Sequence, residues 1–205
     1  MSRRIPSTHA LRWLASRWVW GLAGAGSGAT SVAILMAWGR VFPTSGMGSE
    51  LQALVPGMVF GLVVGTLGHV ARPLGEWRVA FFCVVSTVAH HLAVRLAPGF
   101  KAASTLILAG MAAGALGAFL LGAASVLVFP GRAWPWHVVA FTAAGAAFGV
   151  LLDPALRVQG GHEWGLAILY VPWQAAVALV ASFRLVSPPS HPPSSRGPFK
   201  GPAQE

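Results

Sequence analysis

Six long stretches of this chain contain no Asp, Glu, Lys or Arg, and the charged residues cluster between them. A bilayer-spanning helix needs about 20 mainly apolar residues to cross a hydrocarbon core about 30 Å thick. Within lipid, only helices and closed barrels satisfy their own backbone hydrogen bonds. The pattern therefore predicts an all-α, polytopic integral membrane protein, a bundle of six transmembrane helices. The uncharged stretches are 18–39, 51–71, 79–94, 102–131, 133–152 and 164–183.

Composition leaves little of the chain for anything except this membrane domain. Charged residues are 9% of the sequence, against about 25% in an ordinary soluble domain. We expect a cytoplasmic interfacial segment over 1–17, a membrane domain over 18–186, and a disordered, Pro- and Ser-rich cytoplasmic tail over 187–205. The predicted helices are 18–39, 51–71, 77–96, 102–129, 133–152 and 164–185.

Orientation follows from the basic residues in the predicted loops. Taken alternately, the loops on the N-terminal side and the two terminal segments hold ten Lys and Arg residues, and the loops on the other side hold four. Because cytoplasmic loops carry the excess of Lys and Arg, both termini are predicted to be cytoplasmic, in a multi-pass protein of the inner membrane. Ser2-Arg3-Arg4 also leaves open a cleaved twin-arginine signal followed by five helices.

The third span is the weakest of the six. Its uncharged stretch, 79–94, is short and contains His90 and His91. It crosses the bilayer only if Trp77 and Arg95 serve as interfacial anchors or the bilayer thins locally. We retain it because removing it would destroy the asymmetry of basic residues.

The partners that the composition predicts are lipids and other membrane helices. The net charge of +9 is assigned to helix ends facing anionic lipid, and no nucleic-acid site is predicted. Glycines spaced four apart recur in four predicted helices, as Gly24 and Gly28, Gly57, Gly61 and Gly65, Gly110 and Gly114, and Gly145 and Gly149. Such GxxxG faces permit close helix packing, either inside one bundle or in a homo-oligomer.

The sixth span carries an unusual polar and aromatic group at its centre, Tyr170-Val171-Pro172-Trp173-Gln174. Tyr170, Trp173 and Gln174 have i, i+3, i+4 spacing and are expected to share one face. Pro172 leaves the carbonyl of Ile168 without its helical donor. These residues predict either a ligand site near the midplane or a kinked packing helix whose amide bonds a neighbour.

The third span contributes a second group of polar residues. Thr87, His91 and Arg95 share one face, and Ser86 and His90 fall on the next. Ionisable residues inside a membrane are rare and are candidates for functional sites. We therefore predict that Thr87, His90, His91 and Arg95 line a ligand site together with the aromatic group of the sixth span.

The loop before the sixth span adds two carboxylates, a guanidinium and a further imidazole. With the predicted orientation, Asp153, Arg157, His162 and Glu163 form an outer vestibule near the histidines of the third span. The alternatives are a proton-linked or anion-binding vestibule, a zinc or copper site, and ordinary interfacial hydrogen bonding. No recognised ligand spacing supports a metal, so neither a metal nor another cofactor is predicted.

These observations lead to one preferred function and two rivals. The preferred one is transport or solute binding at a site between the third and sixth helices. The first rival is a non-catalytic accessory subunit that docks a membrane-protein partner or a second copy. The second is a membrane enzyme using the outer histidines. Because the chain contains no GxSxG or Walker motif and no pair of carboxylates at membrane depth, an enzyme is disfavoured.

Overall fold

The computed structural model describes residues 16–41, 47–71, 74–103, 105–129, 135–158 and 162–185, with side chains throughout except at 47–49, 100–103, 162–163 and 184–185. Within these ranges 94% of the residues are helical and there is no strand. The described residues form seven helices in chain order: α1 Arg17–Val41, α2 Met47–Ala71, α3 Glu76–Ala103, α4 Leu106–Val128, α5 Trp136–Gly149, α6 Leu152–Arg157 and α7 His162–Leu185. The predicted segment 1–17, apart from its last two residues, and the predicted tail lie outside the described residues.

Six helical segments in the described part of the chain are long and apolar enough to cross a membrane. They are Arg17–Val41, Glu50–Ala71, Glu76–Gly99, Leu106–Val128, Trp136–Arg157 and Trp164–Phe183. The prediction of an all-α chain with six potential spans is confirmed. The third span is among them, at 24 residues.

The boundary between α3 and α4 differs from the predicted one. The sequence suggested an end at residue 96, but α3 continues through Pro98 to Ala103. A proline inside a helix removes one hydrogen bond without necessarily ending the helix. Helix α4 begins after Thr105, whose side-chain oxygen accepts a hydrogen bond from the Leu108 amide at 3.4 Å. This N-cap fixes the start of α4.

The fifth span is divided into α5 and α6. The Leu151 amide donates to the Phe148 carbonyl at 3.1 Å, and the Asp153 amide donates to the Val150 carbonyl at 3.4 Å. These are i to i+3 bonds, tighter than those of an α-helix. Pro154 lies in the first turn of α6, where its missing N–H is tolerated. The chain therefore passes from α5 to α6 through one tightened turn.

The six long helices form a closed ring. Helix α1 packs on α2, α2 on α3, α3 on α4, α4 on α5, α5 on α7, and α7 back on α1. Helix α7 also contacts α2 and α4 across the ring. The buried core includes Trp20, Phe60, Phe82, Phe141 and Trp173. Residues near the middle of α7 therefore lie among several other helices.

Glycines lie at several of these helix crossings. A Cβ added to Gly57 would lie 2.8 Å from the Cβ of His90, and one added to Gly28 would lie 2.8 Å from the Cα of Val171. In the same way, an added Cβ at Gly24 would lie 2.7 Å from the Cβ of Ala178. At these positions a second helix backbone occupies the space of a side chain.

Candidate functional site

A pocket lies where α3, α4, α7 and the junction of α5 with α6 meet. Its empty volume is about 540 Å³, including the part that is open to the outside. Three rings form part of its wall, those of His90, Tyr170 and Trp173. Val94, which also lines the pocket, is 39% exposed. The pocket therefore reaches the protein surface beside α3.

The rest of the lining is apolar and mostly small. On α3 and α4 the lining residues recur every three or four positions, so each helix presents one continuous face. Four of the residues are glycines, and three of them lie against a neighbouring helix backbone, Gly110 and Gly149 against each other and Gly114 against Gly145. The remaining lining residues are Ala93, Val94 and Ala97 of α3, Gly110, Ala113, Gly114 and Gly117 of α4, Gly149 of α5, Leu152 of α6 and Leu169 of α7.

His90 lines this pocket and carries a polar atom without a partner among the described residues. His90 is 8% exposed, and its Nε2 is buried without a hydrogen-bond partner among the described residues. Its ring packs against that of Tyr170, with centroids 5.3 Å apart and planes at 59°. The Cβ of His90 lies over Gly57 of α2. Close approach of α2 and α3 at this glycine thus helps to hold the imidazole beside α7.

Tyr170 and Trp173 are positioned by neighbours on three helices. The backbone of Tyr170 lies against Gly28 of α1. The indole of Trp173 packs against Phe60 of α2, with centroids 6.3 Å apart. A Cβ added to Gly117 of α4 would lie 3.8 Å from the Trp173 ring. Both aromatic side chains are therefore buried at fixed positions in the wall of the pocket.

The side chain of Gln174 faces α1 and α2. Its Oε1 accepts a hydrogen bond from the Ser27 hydroxyl at 2.5 Å, and its Nε2 donates to the Pro56 carbonyl at 3.2 Å. The residue is fully buried and does not line the pocket. Its amide thus joins α7 to α1 and α2. Although Tyr170 and Trp173 line the pocket, the amide predicted to accompany them bonds to neighbouring helices.

The other predicted residues of α3 also lie away from the pocket lining. The Thr87 hydroxyl donates to the carbonyl of Cys83 at 2.8 Å, within its own helix. Arg95 forms an ion pair with Glu50 of α2, and both side chains are about half exposed. His91 is half-buried, and its Nδ1 has no partner among the described residues. Of the four polar residues predicted on this helix, His90 is the one that lines the pocket.

The predicted outer vestibule is described in part. Asp153 and Arg157 form an ion pair on α6, with the Arg157 Nε 2.9 Å from the Asp153 Oδ1. The side chains of His162 and Glu163 lie outside the described set. Among the described residues, no three His, Cys, Asp or Glu side chains lie close enough together to hold a metal ion. The two described vestibule residues therefore neutralise each other.

The pocket combines an apolar lining with a few polar groups. Among the described residues its lining contains no charged side chain, and the nearby Arg95 and Asp153 are paired with Glu50 and Arg157. One imidazole and two amphipathic aromatic rings are set among alkyl groups. Ligand sites are commonly apolar clefts with a few polar groups that fix orientation. This arrangement suits the retention of a small molecule.

Sequence reasoning missed most of the pocket lining. The prediction was based on polar residues, whereas the face of α3 that forms the pocket continues from His90 through Ala93, Val94 and Ala97. This i, i+3, i+4, i+7 spacing was present in the sequence, as was the series of small residues on α4. Which helix would face which residue depended on the order of helices in the ring.

Comparisons of this chain with protein-family models, with curated proteins and with solved structures found no match. The site is therefore interpreted from its own geometry.

Proposed function

We propose that this protein is a multi-pass membrane protein that binds a small solute in the pocket between α3, α4 and α7, as a step in its transport. The observation that carries the proposal is the buried Nε2 of His90, which has no partner among the described residues. A buried polar atom without a hydrogen bond is unfavourable. A bound solute would supply the missing partner.

The location of the pocket also supports this function. It extends from Trp173 and Gly117, near the middles of α7 and α4, to Ala97 and Leu152. If the six helices span the bilayer, the pocket reaches from the midplane toward the side on which α3 ends. Solute sites of secondary transporters lie near the bilayer midplane. The pocket thus has the depth that a carrier requires.

We further propose that both termini are cytoplasmic and that the protein resides in the inner membrane. The support is the excess of Lys and Arg on the N-terminal side of the predicted topology. In that orientation α3 ends on the outer side. The pocket would then be filled from outside the cytoplasm.

A stability screen tests solute binding. The protein is reconstituted in phosphatidylcholine nanodiscs, and thermal unfolding is measured with a panel of small neutral, anionic and cationic solutes. A solute that binds the folded state raises its stability by about 2.7 kcal/mol at 100 times its Kd. We expect at least one class to stabilise the wild-type protein, and the stabilising solute is then tested for counterflow in proteoliposomes.

Two variants of α3 show whether stabilisation comes from this pocket. Ala97→Phe places a ring on a lining position, whereas Leu96→Phe enlarges an exposed neighbour on the same helix. We expect the first to abolish the solute-dependent shift and the second to retain it. If no solute raises the stability of the wild-type protein more than it raises that of the Ala97→Phe variant, the proposed function is wrong.

A further inference from the structure

The pocket offers recognition groups for one chemical class of ligand. We propose that it takes an uncharged, planar ring molecule with a hydrogen-bonding group, an inference that rests on the proposed function. The ring would lie against Tyr170 and Trp173, and its polar group would meet the Nε2 of His90. Charged solutes would be excluded.

The aromatic wall argues for a ring. Tyr170 and Trp173 lie one helical turn apart on α7, and both line the pocket beside the imidazole of His90. Aromatic pairs prefer tilted or offset contacts and are more favourable than their buried area alone implies. Small residues of α4, including Ala113, line the same pocket.

The absence of charge in the lining argues against an ion. An ionic ligand in an apolar site loses its hydration and needs a partner of opposite charge. Two charged residues adjoin lining residues in the sequence, Arg95 and Asp153. Each is already paired, Arg95 with Glu50 and Asp153 with Arg157. They therefore leave a bound ion without compensation.

His90 is the lining residue whose polar atom is buried without a partner among the described residues. A neutral imidazole nitrogen either donates or accepts one hydrogen bond, according to the tautomer. His90 is more than nine-tenths buried, and its Nε2 is unpartnered within the described part of the chain. A hydroxyl group on the ligand matches both tautomers. A ligand lacking any polar group would leave this nitrogen unsatisfied.

Three probes that share one ring system test the proposed class. Binding of 2-naphthol, naphthalene and 2-naphthoate is measured by equilibrium dialysis against phosphatidylcholine nanodiscs with and without the protein. We expect saturable binding of 2-naphthol above the empty discs, about three- to tenfold weaker binding of naphthalene, and no saturable binding of 2-naphthoate. Equal affinity for 2-naphthol and 2-naphthoate, or for 2-naphthol and naphthalene, would show that the proposed ligand class is wrong.

Variants of the two adjacent histidines locate the polar contact. His90→Phe keeps a ring against Tyr170 and removes the nitrogen, so its affinity for 2-naphthol should fall to that for naphthalene. His90→Gln restores a polar group and should recover part of the preference. His91→Phe alters a neighbour that does not line the pocket and should bind as the wild type does. If His90→Phe and His90→Gln both keep the wild-type preference, His90 does not contact the ligand.

The solute panel separates failure of this inference from failure of the proposed function. If none of the three naphthyl probes binds but another solute gives a stabilisation that Ala97→Phe abolishes, the ligand class is wrong and the pocket still binds solute. If neither the probes nor any solute binds, both are wrong.

Discussion

Gln174 and Ser27 join the two ends of the described chain inside the core of the ring. The Ser27 hydroxyl lies 2.5 Å from the Gln174 Oε1 and also 2.8 Å from the carbonyl of Gly24. The Gln174 Nε2 bonds to the Pro56 carbonyl on a third helix. The amide is thus satisfied by α1 and α2, which favours a structural role for this residue.

Replacing Gln174 by Leu should therefore change stability little and leave solute binding intact. Ser27 would keep its bond to Gly24, so its hydroxyl would not be left unsatisfied. Hydrogen bonds between membrane helices average about 0.6 kcal/mol. We expect a loss of about 1 kcal/mol or less in thermal unfolding and 2-naphthol binding within about twofold of the wild type. A folded Gln174→Leu protein that binds no solute would instead place the amide in the site.

Gly57→Ala should disturb both the fold and the site. A Cβ at this position would lie 2.5 Å from the Ser86 carbonyl and 2.8 Å from the His90 Cβ, so α2 and α3 must move apart. Overpacking of this kind typically destabilises by about 1–3 kcal/mol. The matched control is Gly26→Ala, since an added Cβ there meets nothing within 4 Å. Thermal unfolding should separate the two variants, and equal melting temperatures would contradict the observed crossing.

The ion pair between Arg95 and Glu50 should contribute little to stability. Both side chains are about half exposed, and exposed ion pairs are generally worth about 0–1 kcal/mol. We expect Arg95→Ala and Glu50→Ala to destabilise slightly, and the double variant to be less destabilised than their sum. Because neither residue lines the pocket, solute affinity should be unchanged. If Arg95→Ala loses solute binding while Glu50→Ala retains it, Arg95 contributes to the binding site.

The proposed orientation predicts opposite reporter signals at two positions. Green fluorescent protein fused after residue 186 should fluoresce, and alkaline phosphatase at that position should be inactive. Fusions after Val158, at the end of the fifth span, should show the reverse. Matching signals at the two positions would mean that α7 does not cross the membrane, which would contradict the six-helix topology.

The helices could be predicted because long uncharged stretches alternate with short charged ones along the sequence. Long uncharged stretches and basic residues between them identified six potential spans, including the short third one. The predicted ends of the helices were less accurate where a proline or an N-cap residue determined them. Pro98 lies inside α3, and the Thr105 N-cap fixes the start of α4. Charge alone gave no information about either feature.

The site could be predicted only in part because it depends on helix order. His90, Tyr170 and Trp173 were selected as rare polar or aromatic residues inside apolar spans, and the structure brings them together. Gln174 lies one helical turn after Tyr170, so the sequence placed both residues on the same face of α7. In the structure, the Gln174 amide instead faces α1 and α2. That placement follows from the closed ring, which no local pattern encodes.

The most direct test of solute binding in this pocket uses Tyr170, the only tyrosine in the chain. Incorporation of 3-fluorotyrosine gives a single ¹⁹F resonance from the wall of the pocket. Titration with 2-naphthol should shift this resonance saturably in the wild type and Leu96→Phe, but not in Ala97→Phe. A resonance that stays unmoved while dialysis shows saturable binding would mean that the ligand binds elsewhere, contradicting the site.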